Sequence, residues 1–512
     1  MSWGAGYVTD IAYAPGYYVE QSPRLMALAA LVNGFAAAIP GRNERFHFVD
    51  IGCGLGFSAL VLAATNPGWT VTGLDFNPAH IARARAMATR AGIANCQFIE
   101  ADFTRFTCTE LPDFDAASLH GVWTWVSAPV QQGIVRLLAE KLKPGGLCHV
   151  SYNVLPAWRG VIGLQRLMRE AGSRLAFRAD RQAAQGFAVV RRLMEAGSGA
   201  IDPSARRILD HCADKPAAYL AHEFMNQAWA PCFHHDVAAA LAGAKLTYAG
   251  SPHLLENFPA LALDDTARAI AAGFEDPSMI ELLKDVTANQ PLRHDIFVRG
   301  ATSLDPMTRD ATLCAVPIGL AVPYATRRLT FESAAGQATM NAGLYEPAFA
   351  RLAEGPTTIG DLLAIARASH PDDSQGNPAE LLAMLIGTGQ AVMVPDAAAR
   401  MDPATVRLNA AMFTEKMQGS SVMNPVALAV PALGGGIALP GLAAFAVLRQ
   451  HDWLSEATIG QALPRPDDAV FAAWAAVAAP AADEAIVAQM KSAFADFFEH
   501  QAAMLNRLGL PC

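Results

Sequence analysis

With 512 residues, 52% of them hydrophobic, the chain can fill more than one sizeable core, so two or more domains are expected. Its formal charge of −9 offers no global attraction to nucleic acid or to an acidic membrane surface. The eight cysteines, at 53, 96, 108, 148, 212, 232, 314 and 512, form no CxxC pair, which speaks against a disulfide framework or zinc ribbon and for a reducing, cytoplasmic setting.

In chain order, the N-terminal MSWGAGYVTDIAYAPGYY lacks the basic patch and apolar run of a secretory signal and reads as a Gly- and Tyr-rich arm. FHFVDIG (46–52) is a buried strand, followed by an Ala/Leu-rich helix from about Phe57. WTVTGLD (69–75) is a second strand, and PAHIARARAMATRAG (78–92) a helix ended by Gly92. CQFIEAD (96–102) and FDAASLHG (114–121) are the third and fourth strands. VQQGIVRLLAEKLKPGG (130–146) is a helix stopped by Pro-Gly-Gly, and LCHVSYN (147–153) the fifth strand. Residues 157–244 are helical and amphipathic, an insertion placed to cover the C-terminal edge of a sheet. KLTYAGS (245–251) and LRHDIFVRG (292–300) add two strands. This alternation predicts an α/β, Rossmann-like core with a mostly parallel sheet.

From about residue 305 the character changes. TTIGDLLAIARAS (357–369), PAELLAMLIGTGQAVMVPD (378–396) and the alanine-rich 469–505 read as amphipathic helices with one short hairpin, a winged-helix-like order. ELLAMLIGTGQ carries no Lys or Arg, so a DNA-reading helix is not expected and protein contact or dimerisation is. The uncharged stretch 417–448 is long enough to span a bilayer, but Pro425, Pro431, Pro440 and Gly434-Gly435-Gly436 interrupt any helix there. It reads as a buried, turn-broken segment.

The chemistry begins at VDIGCGLGFSALVLA (49–63). The spacing Asp50-x-Gly52-x-Gly54-x-Gly56 departs from the GxGxxG dinucleotide fingerprint, and its leading carboxylate would repel a diphosphate. A carboxylate there suits an ammonium group. Asp75 ends the second strand and can accept both hydroxyls of a ribose; Asp102 ends the third and can accept from an adenine amino group. The alternative for each is a helix N-cap. Together, ammonium, ribose and adenine on three successive strand ends describe S-adenosyl-L-methionine. Cys53, Phe76 and Phe103, next to these residues in the chain, are expected to contact the cofactor as well.

Over about 45–155 the chain resembles the class I S-adenosylmethionine-dependent methyltransferases. GYYVEQSPRLMALA (16–29), SLHGVWTWV (118–126), VSYNVLPAW (150–158) and HEFMNQAWAPCFHHDV (222–237) further resemble a bacterial group that couples such a core to a helical lid and a C-terminal methyltransferase regulatory domain. Rickettsial protein-lysine methyltransferases belong to that group. The resemblance implies N-methylation of lysine side chains in a protein. It also implies a division into an arm (1–44), a cofactor core (45–156), a lid (157–244), the remainder of the core (245–304) and a regulatory domain (305–512). The Gly/Pro-rich 425–445 departs from the helical pattern expected of that last part.

His120 is the candidate proton acceptor or orienting donor, also in reach of the cofactor, unless it is a core histidine bonded to backbone. Trp123, with Trp125 beyond it, offers an aromatic wall to a cationic amine, or else packs. Tyr152 and Asn153 are the other expected pocket residues. In this fold N-terminal arms close over the cofactor, so Tyr13 and Tyr17 are expected near it and Tyr18 at the reacting centre. His222, His234 and His235 lack i, i+4 spacing, and no metal is expected. Two other readings remain: a small-molecule N- or O-methyltransferase, and a non-catalytic cofactor-binding interaction protein. A homodimer is compatible with the appended helices.

Overall fold

The computed structural model describes residues 6–11, 16–199, 201–288, 290–369, 376–417, 425–450, 499 and 501–510. At its centre β1 (Phe46–Ile51), β2 (Trp69–Asp75), β3 (Cys96–Glu100), β4 (Phe114–Leu119), β5 (Leu142–Asn153), β6 (Leu246–Gly250) and β7 (Leu292–Arg299) form one sheet in the order β3-β2-β1-β4-β5-β7-β6. The first five strands are parallel, and β7 runs antiparallel to β5 and β6. Helix α1 (Pro23–Val32) precedes the sheet, and α2 (Phe57–Thr65), α3 (Pro78–Ala91) and α4 (Ala128–Lys141) are its crossovers. Because helices cover both faces, the strands read as near-continuous apolar runs: Phe48, Val49 and Ile51 in β1 are all buried. Strand order reverses at β1, which lies between β2 and β4, so the crevice beyond its carboxyl end is where a ligand is expected.

Local signals set the boundaries. Asn77 accepts a bond from the Ala79 amide and Pro78 occupies the first turn of α3, while Gly92 ends it in the left-handed region at φ 74°. Strand β5 begins five residues earlier than the sequence predicts, because Leu142 already pairs with Phe114. An irregularity between Phe114 and Ala116 lets the Lys-Pro-Gly-Gly turn run within the strand.

The insertion folds as α5 (Ile162–Leu175), α6 (Ala179–Glu195), α7 (Pro203–Cys212) and α8 (Ala217–Phe224), around Trp158, Met168, Phe187, Leu209 and Phe224. Gly172 and Gly186 permit the close α5–α6 crossing, since a Cβ on either would stand 2.3 or 2.2 Å from a backbone carbonyl oxygen of the other helix. Helix α9 (His234–Ala242) leads into β6. Then α10 (Pro259–Ala262), α11 (Asp265–Ala271) and α12 (Ser278–Ala288) lead to β7.

Beyond the core come α13 (Pro306–Cys314), β8 (Pro317–Leu320), the hairpin of β9 (Thr330–Ser333) and β10 (Gly336–Thr339), α14 (Ala342–Glu354), β11 (Thr357–Thr358), α15 (Ile359–Ser369), α16 (Pro378–Gly387) and β12 (Ala391–Met393). The expected helix–helix–strand order is present, but the partner of β12 is β8, seventy residues upstream, in a β11-β8-β12 sheet. After α17 (Pro403–Met417), the uncharged stretch forms a hairpin of β13 (Val426–Val430) and β14 (Gly435–Leu439), then α18 (Gly441–Gln450). The hairpin packs on α2, and buried Arg24 and Asn66 both donate to the Gly434 carbonyl at 3.0 Å. Among the described residues no helix is long and apolar enough to cross a membrane. Most of the alanine-rich 469–505 lies outside the described residues.

Candidate functional site

The turn after β1 places Gly52, Gly54 and Gly56 at φ 77°, 53° and 76°, the region that favours glycine. A Cβ on Gly52 would meet Val122 at 2.4 Å and one on Gly56 would meet Phe98 at 2.5 Å, whereas Gly54 faces open space. The amide of Gly54 donates to Asp75 Oδ2 at 2.9 Å, and that of Asn77 to Asp75 Oδ1 at 2.8 Å. Asp75, at the end of β2, is therefore held between the glycine turn and the start of α3. Asp102, two residues beyond the end of β3, is exposed and accepts from the Thr104 amide and hydroxyl at 3.0 and 2.7 Å.

These residues line a bent cleft. Its larger arm, about 580 Å³, is walled by Tyr7, Phe76, Asp102, Phe103, Val122 and Trp125. Its smaller arm, about 70 Å³, lies over Tyr18, Gln21, Asp50, Cys53, Ser58 and His120. Gly52, Gly54 and His120 belong to both. The larger volume is that of a site for a molecule of nucleoside size. Gly56 forms the turn without lining either arm.

Asp50 is 2% exposed and accepts from Gln21 Nε2 at 3.0 Å. Burial pushes its carboxyl up to about 7, against the Gln21 bond and with the Asp75 charge adding to the rise. A buried carboxyl of this kind is fitted for an incoming cation, and an amino-acid ammonium is of the right size and charge for the small arm. His120 stacks on Tyr18 with ring centroids 3.8 Å apart and stands 3.4 Å, through Nδ1, from Ser151 Oγ. Burial, with the neighbouring His294, pushes its imidazole down to about 3, so it is neutral at physiological pH.

Several expected residues lie elsewhere. Trp123 is 3% exposed within the core beneath the cleft, and Trp125, two residues on, is the tryptophan that lines it. Tyr152 is fully buried on the opposite face of β5 from His149 and Ser151, where its hydroxyl donates to Asp295. Side chains alternate along a strand, and parity puts Tyr152 among Arg293, Asp295 and His234 instead of in the cleft. Tyr17 turns away, its ring against Gly435 and Gly436 of the β13–β14 hairpin, and burial raises its phenol to about 12. Tyr13 lies outside the described residues. His222 and His234 bond to the Ile11 carbonyl (3.1 Å) and Asp295 (2.7 Å), and His235 is exposed, so these three do not converge.

Two groups that sequence reasoning missed stand beside the cleft. Tyr7, from the same N-terminal arm as Tyr17 and Tyr18, meets Phe76 edge-on at 5.5 Å. Glu223, on α8, accepts from Asn153 Nδ2 at 3.0 Å. Its side chain is half-buried, and it reaches the cleft through Tyr7, which lines the larger arm. Burial pushes its carboxyl up to about 7, against the Asn153 bond. Its charge is felt by the phenols of Tyr7 and Tyr219. A carboxylate inside the HEFMNQ segment was the available signal.

The sheet order and the crevice at β1 define a class I, Rossmann-like methyltransferase fold. Residues 48–146 match the family described as "Methyltransferase domain" and residues 216–299 that described as "Predicted methyltransferase regulatory domain". The second match covers α8 to β7, whereas the sequence reading attached the regulatory label to 305–512. An uncharacterized protein of Synechocystis is 29% identical over 86% of each chain, and one of Rickettsia prowazekii is 32% identical over 31% of this chain and 61% of its own. PKMT2 from Rickettsia typhi, solved alone and in complex with AdoHcy, superposes over 98% of this chain and 99% of its own with TM-score 0.65 at 16% identity, a likeness of fold. The chain is an S-adenosylmethionine-dependent methyltransferase that carries both a methyltransferase domain and a methyltransferase regulatory domain.

Proposed function

We propose that this methyltransferase N-methylates lysine side chains of a protein. The observation that carries the reading is Glu223. An acceptor lysine arrives as an ammonium and must lose a proton before its nitrogen can attack. A carboxyl with a pKa near 7, bonded to Asn153 and flanked by Tyr7 and Tyr219, can pair with the ammonium as a carboxylate and take up its proton. His120, neutral and packed on Tyr18, serves to orient instead. The resemblance of the chain to rickettsial protein-lysine methyltransferases supports the same acceptor.

Asp50 would hold the ammonium of the cofactor's amino-acid part, Asp75 its ribose and Asp102 its adenine, with Phe76 and Phe103 available to the base. Cys53 closes the floor of the small arm. When bound, S-adenosylmethionine supplies an electrophilic methyl on a sulfonium. His120 lines both arms, with Tyr18 stacked on it in the smaller one, and Tyr7 and Trp125 wall the larger. Transfer is then a matter of alignment and proton removal, with no covalent enzyme intermediate.

The test is incubation with methyl-labelled cofactor and a bacterial lysate, followed by hydrolysis of the labelled protein. Label in methylated lysine supports the reading. Label confined to small metabolites, or to protein residues other than lysine, removes it.

A further inference from the structure

Three histidines converge beneath the N-terminal segment. His120 follows β4, His149 lies within β5 and His294 within β7. Strand parity brings them together. Ser118 pairs with His149 across β4 and β5, and Ser151 pairs with His294 across β5 and β7, so positions 118, 149, 151 and 294 share one face, which His120 joins at the strand end. A ring nitrogen of each histidine lies within 4.8 Å of the other two, and His149 Nε2 stands 3.0 Å from His294 Nδ1. His149 is fully buried and His294 is 5% exposed. Serine oxygens stand behind two of them: Ser118 Oγ is 3.0 Å from His149 Nδ1 and Ser151 Oγ is 3.4 Å from His120 Nδ1, while Glu20 and His253 each offer an atom within 4.8 Å of His294.

We propose that His120, His149 and His294 form a site for one divalent d-block cation of the zinc class, between the sheet and the Tyr18–Gln21 segment. Three imidazoles suit such an ion and not magnesium or calcium, which take oxygen ligands. Zinc held by nitrogens at about 2.0–2.1 Å in a tetrahedron sets them about 3.3 Å apart. The His149–His294 pair has to open by only a few tenths of an ångström, and His120 to close in. The serine oxygens behind His149 and His120 are the partners that ligating histidines have, fixing tautomer and orientation. Two of the ligands lie within strands and the third directly follows one, and ligands on such elements are held more rigidly than ligands on loops.

The site adjoins the cleft without being the cofactor's own. His120 lines both arms and stacks on Tyr18, so a cation behind it fixes the ring at their junction. The sequence reading expected no metal, having weighed His222, His234 and His235.

The experiment is titration of chelator-stripped full-length protein with Zn²⁺ by calorimetry and with Co²⁺ by visible absorption. The expected result is one equivalent of either ion, with Co²⁺ bands of tetrahedral nitrogen coordination. His149→Ala and His294→Ala should each weaken binding at least about a hundredfold, Ser151→Ala about tenfold to a hundredfold, and exposed His235→Ala should change nothing. Circular dichroism and denaturant unfolding report that each variant is folded. If a buried-histidine variant does not fold, His120→Ala and Ser151→Ala carry the test. Absence of stoichiometric binding, thiolate charge-transfer bands, or unchanged affinity in the folded variants would overturn the proposal.

Discussion

Replacing Asp50 with Asn should have opposite effects on cofactor binding and on folding. In the cofactor-free protein the Asp50 carboxyl has a pKa of about 7, against an ordinary 3.8, because burial disfavours its charge. A bound ammonium holds it ionised. Affinity for the demethylated cofactor, which keeps the ammonium, should therefore be full above pH 7 and fall as pH drops. Between pH 8 and pH 5 the loss is roughly a hundredfold, about 1.4 kcal/mol for each unit below 7. In Asp50→Asn the Gln21 bond can persist, but the charge pair is gone. Affinity at pH 8 should drop by about 3–5 kcal/mol, the cost of breaking a buried pair, and the profile should flatten.

Folding runs the other way. A carboxyl whose pKa is raised on folding contributes a penalty that is absent below about pH 4, grows toward pH 7 and is constant above it. Asp50→Asn removes it and should stabilise the cofactor-free protein at pH 8 by on the order of 2–4 kcal/mol. Calorimetric titration from pH 5 to 8.5, paired with denaturant unfolding at pH 8, measures both. A flat wild-type binding profile, or a variant that binds within twofold at pH 8, would refute the placement of the ammonium at Asp50.

Asp75→Ala should weaken cofactor binding by on the order of 2–4 kcal/mol, and more than a pure contact loss, since the amides of Gly54 and Asn77 also lose their acceptor; calorimetry showing unchanged affinity contradicts it. Glu223→Gln should lower single-turnover methyl transfer about a hundredfold or more at saturating cofactor and remove the wild-type rise in rate through pH 7, while leaving cofactor affinity nearly intact; an unchanged rate would take the proton-accepting role from this residue. Trp123→Ala should cost about 3–5 kcal/mol of stability as a core truncation, whereas Trp125→Ala should act mainly on binding in the cleft, a contrast read by comparing unfolding midpoints with ligand titrations.

What the chain states locally was legible in its sequence. Asp50, the glycine turn and Asp75 follow from a strand, a tight turn and a helix within thirty residues, and each of those steps is governed by near-neighbour sterics and hydrogen bonding. Asp102, just past β3, came from the same reasoning, as did the turn-broken character of 417–448, where Pro and Gly preclude a continuous helix. Site membership beyond these turns depended on strand parity and on contacts across long stretches of chain. One position of parity separates His149 and Ser151, on the face toward Gln21, from Tyr152, sealed beside Asp295. Trp123 and Trp125 differ in the same way across a single turn of 3-10 helix. Glu223 meets Asn153 across 70 positions, and His149 meets His294 across 145. The sequence by itself determined the class of fold and the strand ends that line the cleft, because backbone geometry is set by adjacent residues. Only the tertiary structure decided which polar groups are enclosed together, because burial, and with it the charge state of Asp50 and Glu223, arises from segments that the chain brings in from far away.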